Sequence, residues 1–236
     1  MKCAVFIPVR YGSTRFPGKP LADINGKSMV RRVWENASSA KSIDRVCVLT
    51  DNEEIVKECQ MFGAEVLMTP GTVRSGTERI ASVIGRFGEY DMIFNMQGDE
   101  PLFKGADLDS LLNRYPADEK TVCGTYCYPL DPSSAADPNK VKVVANAAGE
   151  ALYFSRSPIP TGGPFLKHIG VYLFRREFIK TYIGLPAGKL EISENLEQLR
   201  ILEHGYKICL KRTESDTVAV DTQEDLEKVR MILNEK

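Results

Sequence analysis

The sequence predicts an α/β fold, a mostly parallel sheet with helices on both faces and a small inserted antiparallel lobe. Three observations carry this. Short apolar, strand-like runs alternate with helix-period segments almost from end to end, the pattern of successive βαβ units. Runs such as RVCVLT and MIFNM are nearly continuous in apolar character, as in strands covered on both faces. Beyond about residue 120, two strand-like runs flank Gly149-Glu150, which reads as a hairpin.

Taken in order, residues 2–9 read as an apolar strand and 28–40 as a helix turning Met29, Val33 and Trp34 inward. Residues 45–50 form a buried strand, 53–62 a helix and 65–68 a short strand. A helix over 76–87 precedes the strand 92–96, and a helix over 107–115 precedes the extended run 121–128. Strands over 140–145 and 151–155 make the hairpin, and 170–174 is extended. Residues 193–204 read as a helix with Leu196, Leu199, Ile201 and Leu202 available to pack, followed by a strand over 207–211 and a helix over 223–234. Repeats, low-complexity tracts and long linkers are not evident. One domain over 1–236 is expected, in three parts over about 1–120, 121–205 and 206–236.

With 236 residues, 43% apolar and 27% charged, the chain has ordinary globular composition. Lys plus Arg (31) nearly balances Asp plus Glu (32), so no broad basic face invites nucleic acid or membrane, and a small-molecule partner is expected. The first apolar run ends at Pro8, too short for a secretion signal, and no run could span a bilayer. The cysteines at 3, 47, 59, 123, 127 and 209 are expected to be reduced and mostly buried, in the cytoplasm. Cys123 and Cys127 share a strand face without a second pair, a poor zinc arrangement.

In open α/β sheets ligands bind beyond the carboxyl ends of the strands. The loop after the first strand, residues 10–20, holds three cations, two hydroxyls and two glycines, groups that neutralise and cradle a triphosphate. The alternative is a solvated basic turn. Gln97-Gly98-Asp99-Glu100-Pro101 follows a strand and places a carboxylate where Mg²⁺ is commonly held. Asp221 also ends an apolar run. A capping role there is weakened by Thr222 and Asp225, which already resemble a capping box. Asp51 reads instead as a helix N-cap before Asn52-Glu53-Glu54, and His204 as a C-terminal capping residue.

The strings PVRYGSTRFPGKPL, TDNEEIV, MTPGTVRSGTERIA, NMQGDEP, NKVKVV, ALYFSRSPIP, HIGVYLFR, LEQLR and VDTQEDLEKV occur in this order and cover essentially the whole chain. Together they resemble the CMP-Kdo synthetase (3-deoxy-manno-octulosonate cytidylyltransferase) family, which has a Rossmann-like, nucleotide-diphospho-sugar transferase-like fold. RxxSxRxPxK alone marks the wider group of sugar nucleotidyltransferases; HIGVY, LEQLR and NMQGDEP narrow the match to the Kdo branch. The resemblance implies that Arg10, Ser13, Arg15 and Lys19 contact the CTP phosphates, Arg15 and Lys19 facing charge that develops at the α-phosphorus. It implies that Arg74, Ser75, Gly76, Thr77 and Gln97 line the cytidine, and that Asp99 and Asp221 hold Mg²⁺. Arg156, His168, Tyr172, Glu197 and Gln198 would surround an eight-carbon sugar acid, with Arg156 on its carboxylate. It implies that the part over about 1–120 binds nucleotide, that over about 121–205 binds sugar and dimerises, and that over about 206–236 binds metal, in a homodimer serving lipopolysaccharide biosynthesis.

Plainer readings stand beside these: His168 as a structural histidine, Tyr172 as core, Glu197 and Gln198 as a solvated helix face. One departure is visible, because residues 161–167 form a connection that is much longer in many relatives. The expected reaction is in-line attack of the sugar's anomeric hydroxyl on the α-phosphorus with loss of pyrophosphate, where positioning and charge stabilisation dominate. The alternatives are another acceptor, such as 8-amino-Kdo or a sialic acid, and a non-catalytic nucleotide-binding module.

Overall fold

The computed structural model describes residues 1–12, 16–73, 75–116, 118–213 and 216–235. The chain forms two compact units, Met1–Leu112 with Thr217–Lys236, and Asn113–Asp216.

In the first unit the chain runs β1 (Cys3–Pro8), the short antiparallel pair β2 (Asp23–Ile24) and β3 (Lys27–Ser28), α1 (Met29–Ser38), β4 (Arg45–Thr50), α2 (Glu53–Met61), β5 (Glu65–Met68), α3 (Gly76–Ala81), β6 (Met92–Met96) and α4 (Gly105–Leu112). β1 pairs in parallel with β4 and β6, and β4 with β5. Every residue of β1 and β6 is buried, which explains their unbroken apolar character. Helix α1 begins where Ser28 Oγ accepts from Arg31 N–H, and it buries Met29, Val30, Val33 and Ala37 at helical spacing. Trp34 is only half-buried, lying 5.4 Å from the Phe62 ring.

The second unit contains β7 (Thr121–Leu130), β8 (Lys142–Ala145), β9 (Ala151–Ser155), β10 (Phe165–Arg175), α5 (Arg176–Gly184), α6 (Lys189–Glu194), α7 (Leu199–Glu203) and β11 (Lys207–Arg212). β7 lies antiparallel to β10 and parallel to β11. The expected hairpin is β8–β9: Asn146 Oδ1 accepts from Ala148 and Glu150 N–H, and Gly149 takes φ 78°, a left-handed value glycine adopts without strain. The chain then returns to the first unit as α8 (Gln223–Asn234), whose Leu226 and Val229 pack with Ile24, Met29 and Val220. Burying such side chains contributes roughly 1.5–3 kcal/mol each.

Several elements differ from the sequence expectation: β2 and β3 were not assigned, β10 begins five residues earlier than expected, and three helical segments depart further. The helix expected over 76–87 stops at Ala81, and a separate 3₁₀ turn, Ile84–Arg86, follows. There the Ser82 hydroxyl bonds back to Arg79 O at 2.7 Å, a competitor to helix propagation, and Val83 and Gly85 are weak helix formers. The single helix expected over 193–204 is two, α6 and α7, parted by Asn195 in the left-handed conformation (φ 53°). Helix α5, for which the sequence reading assigned no element, buries Phe178, Ile179 and Tyr182 directly after β10.

Candidate active site

At the carboxyl ends of β1 and β6 the first unit assembles a compact polar cluster. Gly18, at φ 70°, turns the loop after β1 into the 3₁₀ turn Lys19–Leu21. Lys19 Nζ donates to Asp99 Oδ2 at 2.8 Å, to the Val220 carbonyl at 2.7 Å and to Asp221 Oδ1 at 3.4 Å. Its side chain is only 12% exposed, against 29% for Asp99 and 39% for Asp221. Gly98 lets the Asp99 loop close against β1, since a Cβ there would stand 2.1 Å from Val9 Cγ1. Asp221 is held from its own side: Val220 N–H donates to Asp99 O at 2.9 Å, and Val220 is anchored in the apolar cluster with α8. Thr222 and Asp225 form the reciprocal capping box, so α8 is capped without Asp221. Asp99 and Asp221 are thus oxygen donors already gathered around one cation, a donor set that suits Mg²⁺. Among the described residues no group of three or more His, Cys, Asp or Glu side chains is placed to hold a metal, so an ion here would share two carboxylates with water and substrate oxygens. Arg10 is exposed beside this cluster in sequence, whereas Ser13 and Arg15 lie outside the described residues.

A second polar group stands behind the α3 N-terminus. Ser75 caps α3 by accepting from Glu78 N–H at 3.2 Å. Thr77 is buried, and its hydroxyl accepts from Asn95 Nδ2 at 3.1 Å, while Gln97 Nε2 donates to Asn95 Oδ1 at 3.2 Å. Gly76 abuts Gln97 closely enough that a Cβ would lie 2.8 Å from its Nε2. Four of the five residues expected at the cytidine therefore lie on two neighbouring segments; the fifth, Arg74, is outside the described residues. Asn95 was not anticipated, although it is the one polar residue of β6. The reading of Asp51 as an N-cap is corrected: Asn52 Oδ1 caps α2, accepting from Glu54 and Ile55 N–H. Asp51 instead pairs at 2.8 Å with Arg79, whose buried guanidinium also reaches Thr69 Oγ1. A buried guanidinium requires a counter-charge, and β4 ends where one can be supplied.

In the second unit, His168 and Tyr172 lie on β10 with ring centroids 5.4 Å apart, and Phe154 meets the imidazole edge-on at 5.0 Å. The Thr125 hydroxyl contacts His168 Nε2 at 3.0 Å and the carbonyls of Val171 and Ile169 at 2.8 and 3.2 Å. Its single proton goes to a carbonyl, so Nε2 carries the imidazole proton and donates, leaving Nδ1 as an acceptor. Burial pushes the His168 pKa down to about 3, so the ring is neutral at neutral pH. It can recognise a hydroxyl but does not offer positive charge to a carboxylate.

Arg156 donates from Nε to Glu194 O (3.0 Å), from Nη1 to Pro138 O (3.0 Å) and from Nη2 to Asn195 O (3.4 Å). Three of its five N–H groups thus hold backbone, and two remain for a ligand. Glu194 returns the connection, accepting from Ser155 Oγ at 2.7 Å and Arg156 N–H at 2.8 Å, which joins α6 to β9. Sequence reading did not single out Glu194, and in the sequence it is one acid among several. Glu197 is half-buried and its carbonyl accepts from Tyr182 Oη at 3.2 Å. Gln198 is 3% exposed, and its Nε2 has no hydrogen-bond partner among the described residues. Leaving a buried amide N–H unmade costs about 1–3 kcal/mol, a deficit that a ligand oxygen would relieve. The six cysteines are buried and free, and burial lifts the Cys47 and Cys59 thiols to about 12, which makes them poor nucleophiles.

A family model described as cytidylyltransferase matches residues 4–208. A 3-deoxy-manno-octulosonate cytidylyltransferase of Chlorobium chlorochromatii (strain CaD3) is 42% identical, the match covering 100% of this chain and 98% of its own. An 8-amino-3,8-dideoxy-manno-octulosonate cytidylyltransferase of Shewanella sp. (strain ANA-3) is 43% identical over 97% of both chains. Among solved structures, CMP:2-keto-3-deoxy-manno-octonic acid synthetase complexed with CTP is similar at a TM-score of 0.94 and 39% identity, covering 100% of this chain and 99% of that one.

Proposed function

The chain belongs to the cytidylyltransferase family, and on that premise we propose that it transfers CMP from CTP to the anomeric hydroxyl of Kdo, giving CMP-Kdo and pyrophosphate. The observation that carries this reading is the gathering of Asp99 and Asp221, from opposite ends of the sequence, around Lys19. A module that merely binds nucleotide has no need of two converging carboxylates.

In this reading Arg10, Ser13, Arg15 and Lys19 bind the triphosphate, and Ser75, Gly76, Thr77 and Gln97, with Arg74, line the cytidine. Asp99 and Asp221 would hold Mg²⁺, which when bound would supply Lewis acidity towards a sugar hydroxyl. Arg15 and Lys19 stabilise negative charge at the α-phosphorus as pyrophosphate departs. The sugar acid is oriented by Arg156 on its carboxylate, by His168 Nδ1 on a hydroxyl, and by Tyr172, Glu197 and Gln198. The buried Gln198 amide supports that assignment, and so does the neutral, preformed His168–Thr125 pair. A homodimer is part of the proposal, supported by the exposed apolar side chains Leu152, Ile183, Leu190 and Ile192. Free, buried cysteines support a cytoplasmic setting, and no helix among the described residues is long and apolar enough to cross a membrane.

The test is pyrophosphate release with CTP, Mg²⁺ and a panel of sugar acids. Kdo is expected to be the preferred acceptor, and CTP to exceed ATP, GTP and UTP by at least roughly tenfold, about 1.4 kcal/mol. Equal turnover of the four nucleotides, or full activity in excess EDTA, overturns the reading. The amino acceptor is the second reading, since the Shewanella relative named for it is 43% identical; including 8-amino-Kdo in the panel decides between them.

A further inference from the structure

Lys19 is placed oddly for a residue that serves only as a phosphate ligand. Its ammonium is not directed to solvent but is enclosed by three oxygens: Asp99 Oδ2 at 2.8 Å, Val220 O at 2.7 Å and Asp221 Oδ1 at 3.4 Å. These include both carboxylates assigned above to the metal. A divalent ion and an ammonium seek the same anionic oxygens, and like charges in one small site repel strongly where the surroundings are poorly screened. An ammonium and a divalent ion held by the same two carboxylates repel each other, so each weakens the other's hold there.

We infer that Lys19 is a resident placeholder cation, which occupies the metal carboxylates until the nucleotide triphosphate draws it away. This rests on the reading above of Asp99 and Asp221 as metal ligands and Lys19 as a phosphate ligand. The backbone at Lys19 is fixed by the turn at Gly18, so the exchange is a movement of the four-carbon stem alone. In the resting enzyme the ammonium neutralises two acids that would otherwise repel, and it ties the Val220–Asp221 segment to the Asp99 loop. When the triphosphate arrives, its oxygens replace those partners and the carboxylates are released to metal. Metal and nucleotide then bind as a coupled pair, and metal alone binds poorly.

The placeholder is tested by binding rather than by turnover. Mn²⁺ alone, in the absence of nucleotide, is titrated into each protein and the free ion is followed by its electron paramagnetic resonance signal. Wild type is expected to bind weakly. Lys19→Met is expected to bind at least about tenfold more tightly, because the competing charge is gone. Lys19→Arg, which keeps a cation, is expected to stay as weak as wild type, and adding Asp99→Asn to Lys19→Met should abolish the gain. Thermal unfolding reports whether each variant is folded; Lys19→Gln replaces Lys19→Met in the comparison if the latter is not. A folded neutral variant that binds Mn²⁺ no better than wild type overturns the inference. So does a Lys19→Arg variant that binds as tightly as Lys19→Met, since loosening and not charge would then be the cause. The underlying reading fails separately, and recognisably, if Asp99→Asn leaves Mg²⁺-dependent pyrophosphate release intact.

Discussion

On the reading proposed above, the two units meet their ligands in different ways. In the first, the Lys19–Asp99–Asp221 cluster is charged and partly open, and its members hold one another. In the second, His168, Tyr172 and Gln198 are packed among aromatic rings and backbone, and the ionisable ring is held neutral. A site for a triphosphate and a metal needs charges that can change partners during a turnover. A site for a polyhydroxylated acid needs fixed donors and acceptors, because one neutral hydrogen bond is worth only about 1 kcal/mol and tolerates little misplacement.

The largest expected effect bears on the charged unit. Asp99→Asn or Asp221→Asn should lower kcat by roughly 10²-fold or more, about 2.7 kcal/mol, with the melting temperature little changed. A near-wild-type rate across a Mg²⁺ titration would remove that residue from the metal site.

Next comes Arg156→Ala, which sharpens the contrast because Arg156 is a cation within the unit of fixed neutral contacts. The sugar KM should rise roughly 10- to 100-fold with the KM for CTP little changed, and Arg156→Lys should restore only part of the loss. Stability should fall as well, since Pro138, Glu194 and Asn195 lose their shared donor. A raised KM for CTP with the sugar spared would transfer Arg156 to the nucleotide and break the division between the units.

Asp51→Asn should cost about 1–2 kcal/mol of stability, read by denaturant unfolding, because it removes the counter-charge of a buried guanidinium while keeping an acceptor. An unchanged midpoint would mean that Arg79 is satisfied by Thr69 alone.

The smallest effect concerns pH. His168 has a folded pKa near 3, below an unfolded value of about 6.5, so folding favours the neutral ring. Its contribution to stability is complete above about pH 6.5 and declines as the pH falls from there towards about 3; at about pH 6 the loss is still within about 1 kcal/mol. His168→Gln should flatten this part of the stability profile, as measured by urea midpoints. If the wild-type and variant profiles run parallel, the ring is not buried neutral.

The same contrast decides what the sequence could reveal. β5, β6, β9 and α8 are found where apolar periodicity and turn residues place them, and Thr222 with Asp225 marks the start of α8. Lys19, Asp99 and Asp221 were legible because short-range motifs at strand ends present charge where the fold needs none for packing. Asn95 was hidden inside an apolar strand, and Glu194 acts only through β9, some 39 residues away in sequence. Asp51 was misread because its partner, Arg79, lies 28 residues on, and adjacency favoured the local role that Asn52 performs. The break at Asn195 and the stop after Ala81 were missed for a related reason, because apolar spacing continues through both and only a backbone preference interrupts it.

Because the first unit is closed by Thr217–Lys236 after the excursion of Asn113–Asp216, it cannot be finished in the order in which it is begun. Translation delivers β1, Lys19 and Asp99 early, yet Asp221 and the apolar cover from Val220, Leu226 and Val229 emerge only after the whole second unit. During that interval a nascent chain lacks one of the two carboxylates, and Ile24 and Met29 lack Val220, Leu226 and Val229 from the cluster that buries them. On the reading of Asp221 as a metal ligand, a growing chain has an incomplete site over that interval, and the apolar side chains left uncovered are a place where association competes with folding. The first unit is therefore completed only after the second has been made, and not before it.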